Sequence, residues 1–246
     1  GAPFDGPAQI GRGEGVVDHQ RHAGLVGDGG HGLDIEDIDA RIGYGLPVKH
    51  LGLRGDGGFE LLWTESGGPS VAEMMAPYDA EAAPYRFEDL RAIGRVTLRP
   101  RDVNWKNVAD NYSDGLHINV AHPGLTRLFG KGYRTDAEAH VDRMSGDLLD
   151  KPSANPSERA YQALLPRVQH LPEEAQRRWL YLKLWPNVAL DIYPDQIDFM
   201  QFLPVSPTET MIREIAYALP DDRREMKAAR YLNWRINRRV NAEDTV

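Results

Sequence analysis

Four strand-like segments follow one another between residues 177 and 219, and they constrain the fold more than any other part of this sequence. Each segment is rich in aliphatic and aromatic residues, and the turn-forming pairs Pro186-Asn187 and Pro194-Asp195 separate the first three. Connections this short join antiparallel neighbours, so we expect an antiparallel sheet. In the third segment, alternate residues should lie on opposite faces of the sheet, with Ile197, Phe199, Gln201 and Leu203 on one face and Asp198, Met200 and Phe202 on the other.

A helix is predicted after the last strand, from Asp221 to about Val240. Residues at alternating spacings of three and four mark its buried stripe, which comprises Met226, Ala229, Asn233, Ile236 and Val240. Extending the stripe by four residues reaches Asp244. A carboxylate on a core-facing stripe needs a partner, because burying it unpaired is costly. A metal ion would be such a partner, and a chain end in water is the alternative.

The composition excludes several classes of protein. The 246 residues suffice for one sizeable domain or two small ones, and the net charge of −8 argues against a nucleic-acid partner. No apolar run approaches the length of a membrane span and nothing resembles a signal peptide, so we expect a cytoplasmic protein without membrane association. The absence of cysteine excludes disulfides and thiolate metal sites.

Residues 1–58 differ from the remainder of the chain. They hold 16 of the 24 glycines and show no sustained helical or strand period. Glycine at this density makes ordering costly. They also hold four of the eight histidines, namely His19, His22, His31 and His50. The segment could be a disordered arm, a glycine- and histidine-rich metal-binding tract, or a degenerate or out-of-frame stretch, and we favour the last interpretation. We expect the folded domain to span residues 59–246.

Short elements are predicted at the start of this domain. Residues 59–65 have the composition of a strand, and residues 70–75 suggest a short helix. Residues 85–103 suggest extended chain. Its inward-facing side chains are expected to be Ile93, Val96 and Leu98.

The middle of the chain is predicted to be partly helical. A helix is expected over residues 103–119, and an irregular loop over residues 125–160. A further helix is expected from residue 155 to residue 168, because Pro156 suits a first helical turn. Two further histidines are interpreted as structural, with His140 on the surface and His170 at the end of a helix.

Two histidines five residues apart, His117 and His122, indicate a candidate metal site. Imidazole commonly binds iron, zinc or copper. Positions five apart do not share a helix face, so a helix must end or distort between them, and Pro123 favours an end near His122. Histidine pairs are more often structural or solvent-facing, so a carboxylate ligand is needed to define a metal site. Besides Asp244, the candidates are Glu243, Asp191, Asp195 and Asp198.

The sequence N-W-K-N-V-A-D-N-Y-S-D-G-L-H-I-N-V-A-H-P around these histidines resembles the iron-binding motif of the catalytic α subunits of Rieske non-haem iron oxygenases. The resemblance implies that His117 and His122 bind Fe(II). It also implies that Asp114, three residues before the first histidine, carries electrons in from the cluster of a neighbouring subunit. The sequence N-A-E-D near the end of the chain is similar to the segment that supplies the third ligand in this family, which implies that Asp244 is the carboxylate ligand.

The resemblance also implies a fold, a reaction and partners. The expected fold class is α+β, a helix-grip or START-like (Bet v 1-like) domain in which an antiparallel sheet wraps around a long C-terminal helix. The expected reaction is O₂-dependent hydroxylation, dihydroxylation or demethylation of an aromatic or small organic substrate. A reductase or ferredoxin would donate electrons, and the intact family members form homotrimers.

The chain departs from this family in two ways. The Rieske [2Fe–2S] cluster needs two cysteines and two histidines, and their C-x-H…C-x-x-H pattern is absent, so this chain offers no ligands for the cluster. The sequence also stops where family members usually continue, so we expect a fragment that is truncated at both ends.

Two other functions fit the same residues. A helix-grip module could bind an apolar ligand without redox chemistry, with Asp114 and both histidines as polar lining. A zinc hydrolase could use the same ligands, because two histidines and a carboxylate also suit Zn²⁺.

Overall fold

The structure, a computed structural model, describes residues 50–53, 59–62, 71–138 and 140–244. The chain divides into two compact units, residues 1–64 and residues 65–246. In the first unit, strand β1 (His50–Leu53) pairs antiparallel with β2 (Phe59–Leu62), so a strand is present where one was expected from residue 59. His19, His22 and His31 lie outside the described residues, and the expected division of the chain at residue 59 stays a prediction.

The second unit is built on an eight-stranded antiparallel sheet. Its strands are β3 (Arg91–Ala92), β4 (Thr97–Arg101), β5 (Arg134–Ala137), β6 (Val141–Asp147), β7 (Arg178–Leu184), β8 (Val188–Ile192), β9 (Ile197–Ser206) and β10 (Glu209–Ala218). The order is β3-β10-β9-β8-β7-β6-β5, and β4 also pairs with β10. The four strand-like segments of the sequence are β7 to β10, and each pairs with its successor through a short connection. The predicted antiparallel sheet is confirmed.

Seven α-helices accompany the strands in the described part of the second unit. They are α1 (Val71–Met75), α2 (Asp79–Ala82), α3 (Trp105–Ser113), α4 (Ile118–Ala121), α5 (Pro123–Phe129), α6 (Pro156–Leu164) and α7 (Arg224–Glu243). None of the described helices has the length and apolar character of a membrane span. The combination of an antiparallel sheet with a long C-terminal helix confirms the expected α+β class.

One face of the sheet packs against α3 and α7. Met200 and Phe202 of β9 form one apolar cluster with Trp105 and Ala109 of α3. A second cluster joins α7 to β7, with Trp179, Tyr181, Ala229 and Ile236 among its members. The predicted stripe of α7 is confirmed, because Met226, Ala229, Asn233 and Ile236 are buried and Val240 is half-buried.

Residues 85–103 are only partly extended. Two 3₁₀ turns, Ala83–Tyr85 and Phe87–Asp89, precede β3. Ile93 and Val96 are exposed, at 44% and 45%, and Leu98 is half-buried, so the expectation that Ile93 and Val96 face inwards is wrong. The reason is local: both residues lie in the connection between β3 and β4 rather than in either strand.

The expectation of an irregular loop over residues 125–160 is also wrong. The segment contains most of α5 and all of β5 and β6, and β6 buries Val141 and Met144 against β7. Its sequence alternates poorly, so strand pairing rather than local pattern determines its structure. His140, which immediately precedes β6, is half-buried rather than on the surface.

Helix α6 begins where its sequence predicts. The Asn155 side chain accepts hydrogen bonds from the backbone N–H groups of Ser157 and Glu158, and proline occupies the first turn. The helix ends at Leu164, four residues early, because Leu165 precedes a proline and that position disfavours helical backbone. His170 is exposed beyond it.

The buried carboxyl group of Asp195 should make stability depend on pH. Tyr161 Oη donates to Asp195 Oδ1 at 2.5 Å, yet burial raises the pKa of Asp195 from 3.8 to about 6. Between these values the folded state binds more protons than the unfolded state, so the free energy of unfolding falls as pH rises. Asp195→Asn should remove about 3 kcal/mol of that fall, measured by urea unfolding at several pH values. Asp222→Asn, at an exposed site, serves as the control, and equal pH slopes in the two variants would contradict the assignment.

Candidate metal centre

Helix α3 carries the first part of the motif and ends before the histidines. The Asn104 side chain caps it by accepting from Lys106 N at 3.0 Å, and Trp105 and Ala109 anchor it on the sheet. At the other end, Lys183 Nζ of β7 donates to the carbonyl of Ala109. The helix stops at Ser113 instead of continuing to residue 119, so the predicted single helix is wrong.

The break follows from two adjacent residues. Asp114 adopts an extended backbone conformation, and its side chain accepts from Leu116 N at 2.9 Å, which replaces a helical hydrogen bond. Gly115 passes so close to β5 that a Cβ atom would lie 2.5 Å from Thr135 Oγ1. The chain therefore turns at this point, and a new short helix, α4, starts after His117.

This turn brings the two histidines together. His117 precedes α4, and His122 stands between α4 and α5 with non-helical backbone, followed by proline at the start of α5. Their Nε2 atoms lie 3.0 Å apart. The expectation that a helix ends near His122 is therefore confirmed, and the five-residue spacing becomes compatible with a shared ligand.

Asp244 reaches the same point from the end of α7. Its Oδ1 lies 3.1 Å from His122 Nε2, and Asn111 Nδ2 of α3 donates to the same oxygen at 3.2 Å. One donor atom from each of His117, His122 and Asp244 lies within 4.8 Å of the others. The structure thus brings together the three residues that the sequence analysis selected. Asp191, Asp195 and Asp198 do not belong to this group.

Two further carboxylates contact the outer nitrogens of the histidines. Glu243 Oε2 lies 3.1 Å from His122 Nδ1, a geometry in which the imidazole N–H donates and the Nε2 lone pair faces His117 and Asp244. Asp114 Oδ2 lies 3.4 Å from His117 Nδ1, and this buried nitrogen has no hydrogen-bond partner among the described residues. Sequence reasoning offered Glu243 only as a substitute ligand and gave Asn111 no role.

The electrostatics of the cluster favour positive charge. Burial opposes the charged form of His122, but hydrogen bonds to Asp244 and Glu243 outweigh burial and raise its pKa. Burial likewise opposes the charged form of Asp244, while His122 and Asn111 outweigh it and lower the pKa of Asp244. The backbone N–H of Leu116 is the main cause that lowers the pKa of Asp114. The cluster therefore stabilises a cation between its donor atoms.

The donor atoms fit a divalent metal ion. Two ligand atoms at about 2.1 Å from one ion, and at right angles to each other, are separated by about 3.0 Å. The Nε2 atoms of His117 and His122 have that separation. Two imidazoles and one carboxylate on one side of an ion constitute the facial set that leaves the remaining positions open in non-haem Fe(II) oxygenases.

A cavity of about 350 Å³ adjoins the cluster. His117, His122 and Asp244 lie in its wall, which is completed by residues of the sheet and of α3 and α7. Its aromatic lining consists of Tyr112, Tyr133, Tyr181 and Phe202. The volume and the mixed apolar and polar lining are those of a small-molecule site.

The sheet with its long C-terminal helix, and a two-histidine, one-carboxylate cluster beside a cavity, define the class of mononuclear non-haem iron oxygenase catalytic domains. The chain belongs to the family of ring-hydroxylating α subunits: residues 87–246 match its catalytic domain. The resemblance noted in its sequence is therefore confirmed.

The chain matches only part of the length of its characterised relatives. The oxygenase subunit of carnitine monooxygenase from Escherichia coli K12 is 28% identical over 177 residues, which are 69% of this chain and 42% of the relative. The oxygenase subunit of glycine betaine monooxygenase from Chromohalobacter salexigens is 27% identical over 144 residues, 58% of this chain and 28% of the relative. The chain spans less than half the length of these relatives.

Two solved structures show the same fold. A quaternary ammonium Rieske monooxygenase in complex with an inhibitor superposes with a TM-score of 0.53 at 14% identity, over 80% of this chain and 50% of the other. Naphthalene 1,2-dioxygenase from Rhodococcus sp., bound to indole, gives a TM-score of 0.54 at 14% identity, over 77% and 51%. The helix-grip arrangement expected from the sequence is therefore shown.

Proposed function

We propose that this chain is the iron-holding domain of a mononuclear non-haem Fe(II) oxygenase in which His117, His122 and Asp244 are the metal ligands. The reaction would be O₂-dependent hydroxylation, dihydroxylation or demethylation of an aromatic or other small organic substrate. One observation carries the proposal: three donor atoms converge in the wall of a cavity of about 350 Å³. Two of them come from the histidine segment, and the third, from Asp244, comes from a segment more than 100 residues further along the chain.

The residues around the ligands have distinct tasks in this proposal. When bound, Fe(II) supplies the binding and activation of O₂. Glu243 holds a proton on His122 Nδ1, so that Nε2 keeps its lone pair for the metal. Asn111 orients the Asp244 carboxylate by donating to Oδ1. The cavity places a substrate beside the open side of the ligand set and limits access of water.

Electrons would enter through Asp114. Its carboxylate is partly exposed, at 44%, and lies against the outer nitrogen of His117, so it connects the surface with a proposed ligand. These 246 residues contain no cysteine, so the [2Fe–2S] cluster that supplies electrons would lie outside them, fed by a reductase or ferredoxin. A quaternary ammonium Rieske monooxygenase of the same fold has been described in terms of inter-subunit electron transfer. A homotrimer of complete subunits would supply such neighbours.

Loading the chain with Fe(II) or with Zn(II) tests the proposal. The iron form should oxidise a small organic substrate when peroxide replaces O₂ and electrons, and the zinc form should not, because Zn²⁺ has no redox chemistry. Hydrolysis by the zinc form without oxidation by the iron form would support a hydrolase instead. Purified chain with no capacity for either metal would support a ligand-binding module.

Removing the Glu243 carboxylate should weaken iron binding without abolishing it. Residues that hydrogen-bond to ligating histidines typically change metal affinity by roughly 10- to 100-fold. We expect that range for Glu243→Ala and a smaller loss for Glu243→Gln, whose amide oxygen can still accept from His122 Nδ1. Competition with a chelator measures the affinity. Glu225→Ala, at the exposed start of the same helix, is the control, and an equal affinity in Glu243→Ala would remove Glu243 from the site.

A further inference from the structure

Asp191 is a buried carboxylate in the cavity wall that none of the proposed steps uses. It lies on β8, is 9% exposed, and lines the same cavity as the proposed iron ligands. Its cross-strand neighbours are Tyr181 on β7 and Asp198 on β9. Strand pairing rather than chain flexibility therefore fixes its position.

Two phenol groups hold the Asp191 carboxylate in place. Tyr112 Oη donates to Oδ1, and Tyr193 Oη donates to Oδ2 at 3.0 Å. No lysine or arginine of the described residues forms an ion pair with it. The carboxylate is thus oriented by neutral donors, and within the described part of the chain it takes part in no ion pair.

The other carboxylates of the cavity are already compensated. Glu214 forms an ion pair with Arg99 at 2.6 Å, and Asp244 contacts His122. Arg101 also lines the cavity, and its guanidinium donates to the carbonyl of Pro100. Asp191 therefore forms no ion pair among the described residues, and the nearby charge of Arg99 is already paired with Glu214. A cationic ligand would stabilise a buried carboxylate in this position.

Four aromatic rings lie in the same cavity wall as this carboxylate and contact one another. Tyr112 contacts Tyr181 with ring centroids 6.4 Å apart and Phe202 at 5.7 Å, and Tyr133 contacts Tyr181 at 6.2 Å. All four rings line the cavity. Aromatic faces attract cations, and rings grouped around a negative charge are the arrangement that recognises quaternary ammonium groups.

We propose that Asp191 and the rings of Tyr112, Tyr133, Tyr181 and Phe202 form a recognition site for the cationic head of a substrate that carries a quaternary ammonium group. Asp191 is the residue that determines specificity, because it distinguishes a charged head from a neutral one of equal size. The inference rests on the proposed function, since it assigns the substrate class of that same cavity.

The hydrogen bonds of Asp191 favour a quaternary over a primary ammonium group. A primary ammonium needs hydrogen-bond acceptors for its three N–H groups, whereas a quaternary ammonium needs only negative potential and apolar contact. Both Asp191 oxygens already accept from phenols, and the surrounding rings offer apolar contact.

Binding of a cation should be coupled to proton release. Burial raises the pKa of Asp191 to about 7, so near that pH the carboxyl group is partly protonated, and a bound cation favours the ionised form. The affinity for a cation should therefore rise as pH increases through 7. The titratable and charged groups that face Asp191 are Tyr112, Tyr133, Tyr181, Tyr193, Asp198, Glu214 and Arg99.

Choline and its uncharged isostere 3,3-dimethylbutan-1-ol provide the test, because they differ only by nitrogen or carbon at the branched centre. Calorimetric titration of the iron-loaded chain without O₂ should show choline binding about tenfold or more tightly than the alcohol. Asp191→Asn should remove this preference by weakening choline binding alone. Equal affinity of the wild-type chain for the two probes would overturn the proposal, and this comparison needs no variant to fold.

Asp198→Asn is the matched control, because Asp198 is a buried carboxylate directly across from Asp191 but does not line the cavity. It should keep the preference for choline. An unchanged preference in Asp191→Asn, or an equal loss in Asp198→Asn, would overturn the assignment of Asp191. Iron content, measured on the same samples, reports on the proposed function separately: a chain that prefers choline but binds no iron would contradict the oxygenase and leave the recognition site standing.

Discussion

His122→Ala should abolish stoichiometric iron binding. His122 is the centre of the cluster: its Nε2 lies 3.0 Å from His117 Nε2 and 3.1 Å from Asp244 Oδ1, and its Nδ1 contacts Glu243. Replacing it leaves two ligands for an ion that needs at least a facial set of three, and leaves Asp244 with only its hydrogen bond from Asn111. We expect iron to fall from about one ion per chain to background, measured by metal analysis after anaerobic loading and desalting.

His170→Ala is the control for this experiment. His170 is exposed and lines a separate cavity of about 540 Å³, so its removal should leave the iron content unchanged. A metal bound only to the folded state also raises the melting temperature. Chelation should therefore lower the melting temperature of the wild-type chain and of His170→Ala but not that of His122→Ala. Equal iron content in wild type and His122→Ala would remove the site as proposed.

Asp114→Asn should keep iron but lose turnover that depends on an electron donor. The carboxylate accepts from the backbone N–H groups of Leu116 and His117 and is not one of the three converging ligand residues. Asparagine is nearly isosteric and can preserve one of these hydrogen bonds, but it lacks the negative charge beside His117. With a complete Rieske subunit as donor, we expect a loss of at least about 100-fold in turnover.

Peroxide distinguishes an electron-transfer role from a structural one. Because peroxide supplies both oxygen and electrons, it bypasses Asp114, and Asp114→Asn should regain activity close to that of the wild-type chain under this condition. Asp110→Asn, one turn earlier on α3 and exposed, should retain donor-dependent turnover and serves as the control. Loss of iron from Asp114→Asn would show that the residue supports the metal site itself.

The sequence predicted correctly those elements whose structure is determined by the spacing of apolar and turn-forming residues within the element itself. Strands β7 to β10 alternate and are separated by turn residues, so their order and pairing followed from local rules. Helix α7 shows a regular buried stripe, and extending that stripe placed Asp244 on the side of the helix that faces the histidines. In both cases each residue's role depends on neighbours a few positions away.

The parts that sequence reasoning missed depend on distant contacts. At the break, Gly115 lies so close to Thr135 of β5 that a side chain would not fit, and the position of β6 is fixed by its pairing with β7. The contact between Glu243 and His122 joins residues 121 positions apart. Asp191, one of four substitute ligands in the sequence, faces the cavity of the proposed metal ligands, whereas Asp195 lines a separate cavity, and no local pattern encodes this difference.

The separation of the metal-binding segments has a consequence for how the domain holds together. A ligand shared by His122 and Asp244 closes a loop that spans half of the chain and most of the sheet. Long loops lose the most unfolded-state entropy when they are closed. In a protein without cysteine, the metal would therefore act as a cross-link, and the last turn of α7 would be the first segment to fray, and the first to exchange its amide hydrogens, once that cross-link is removed.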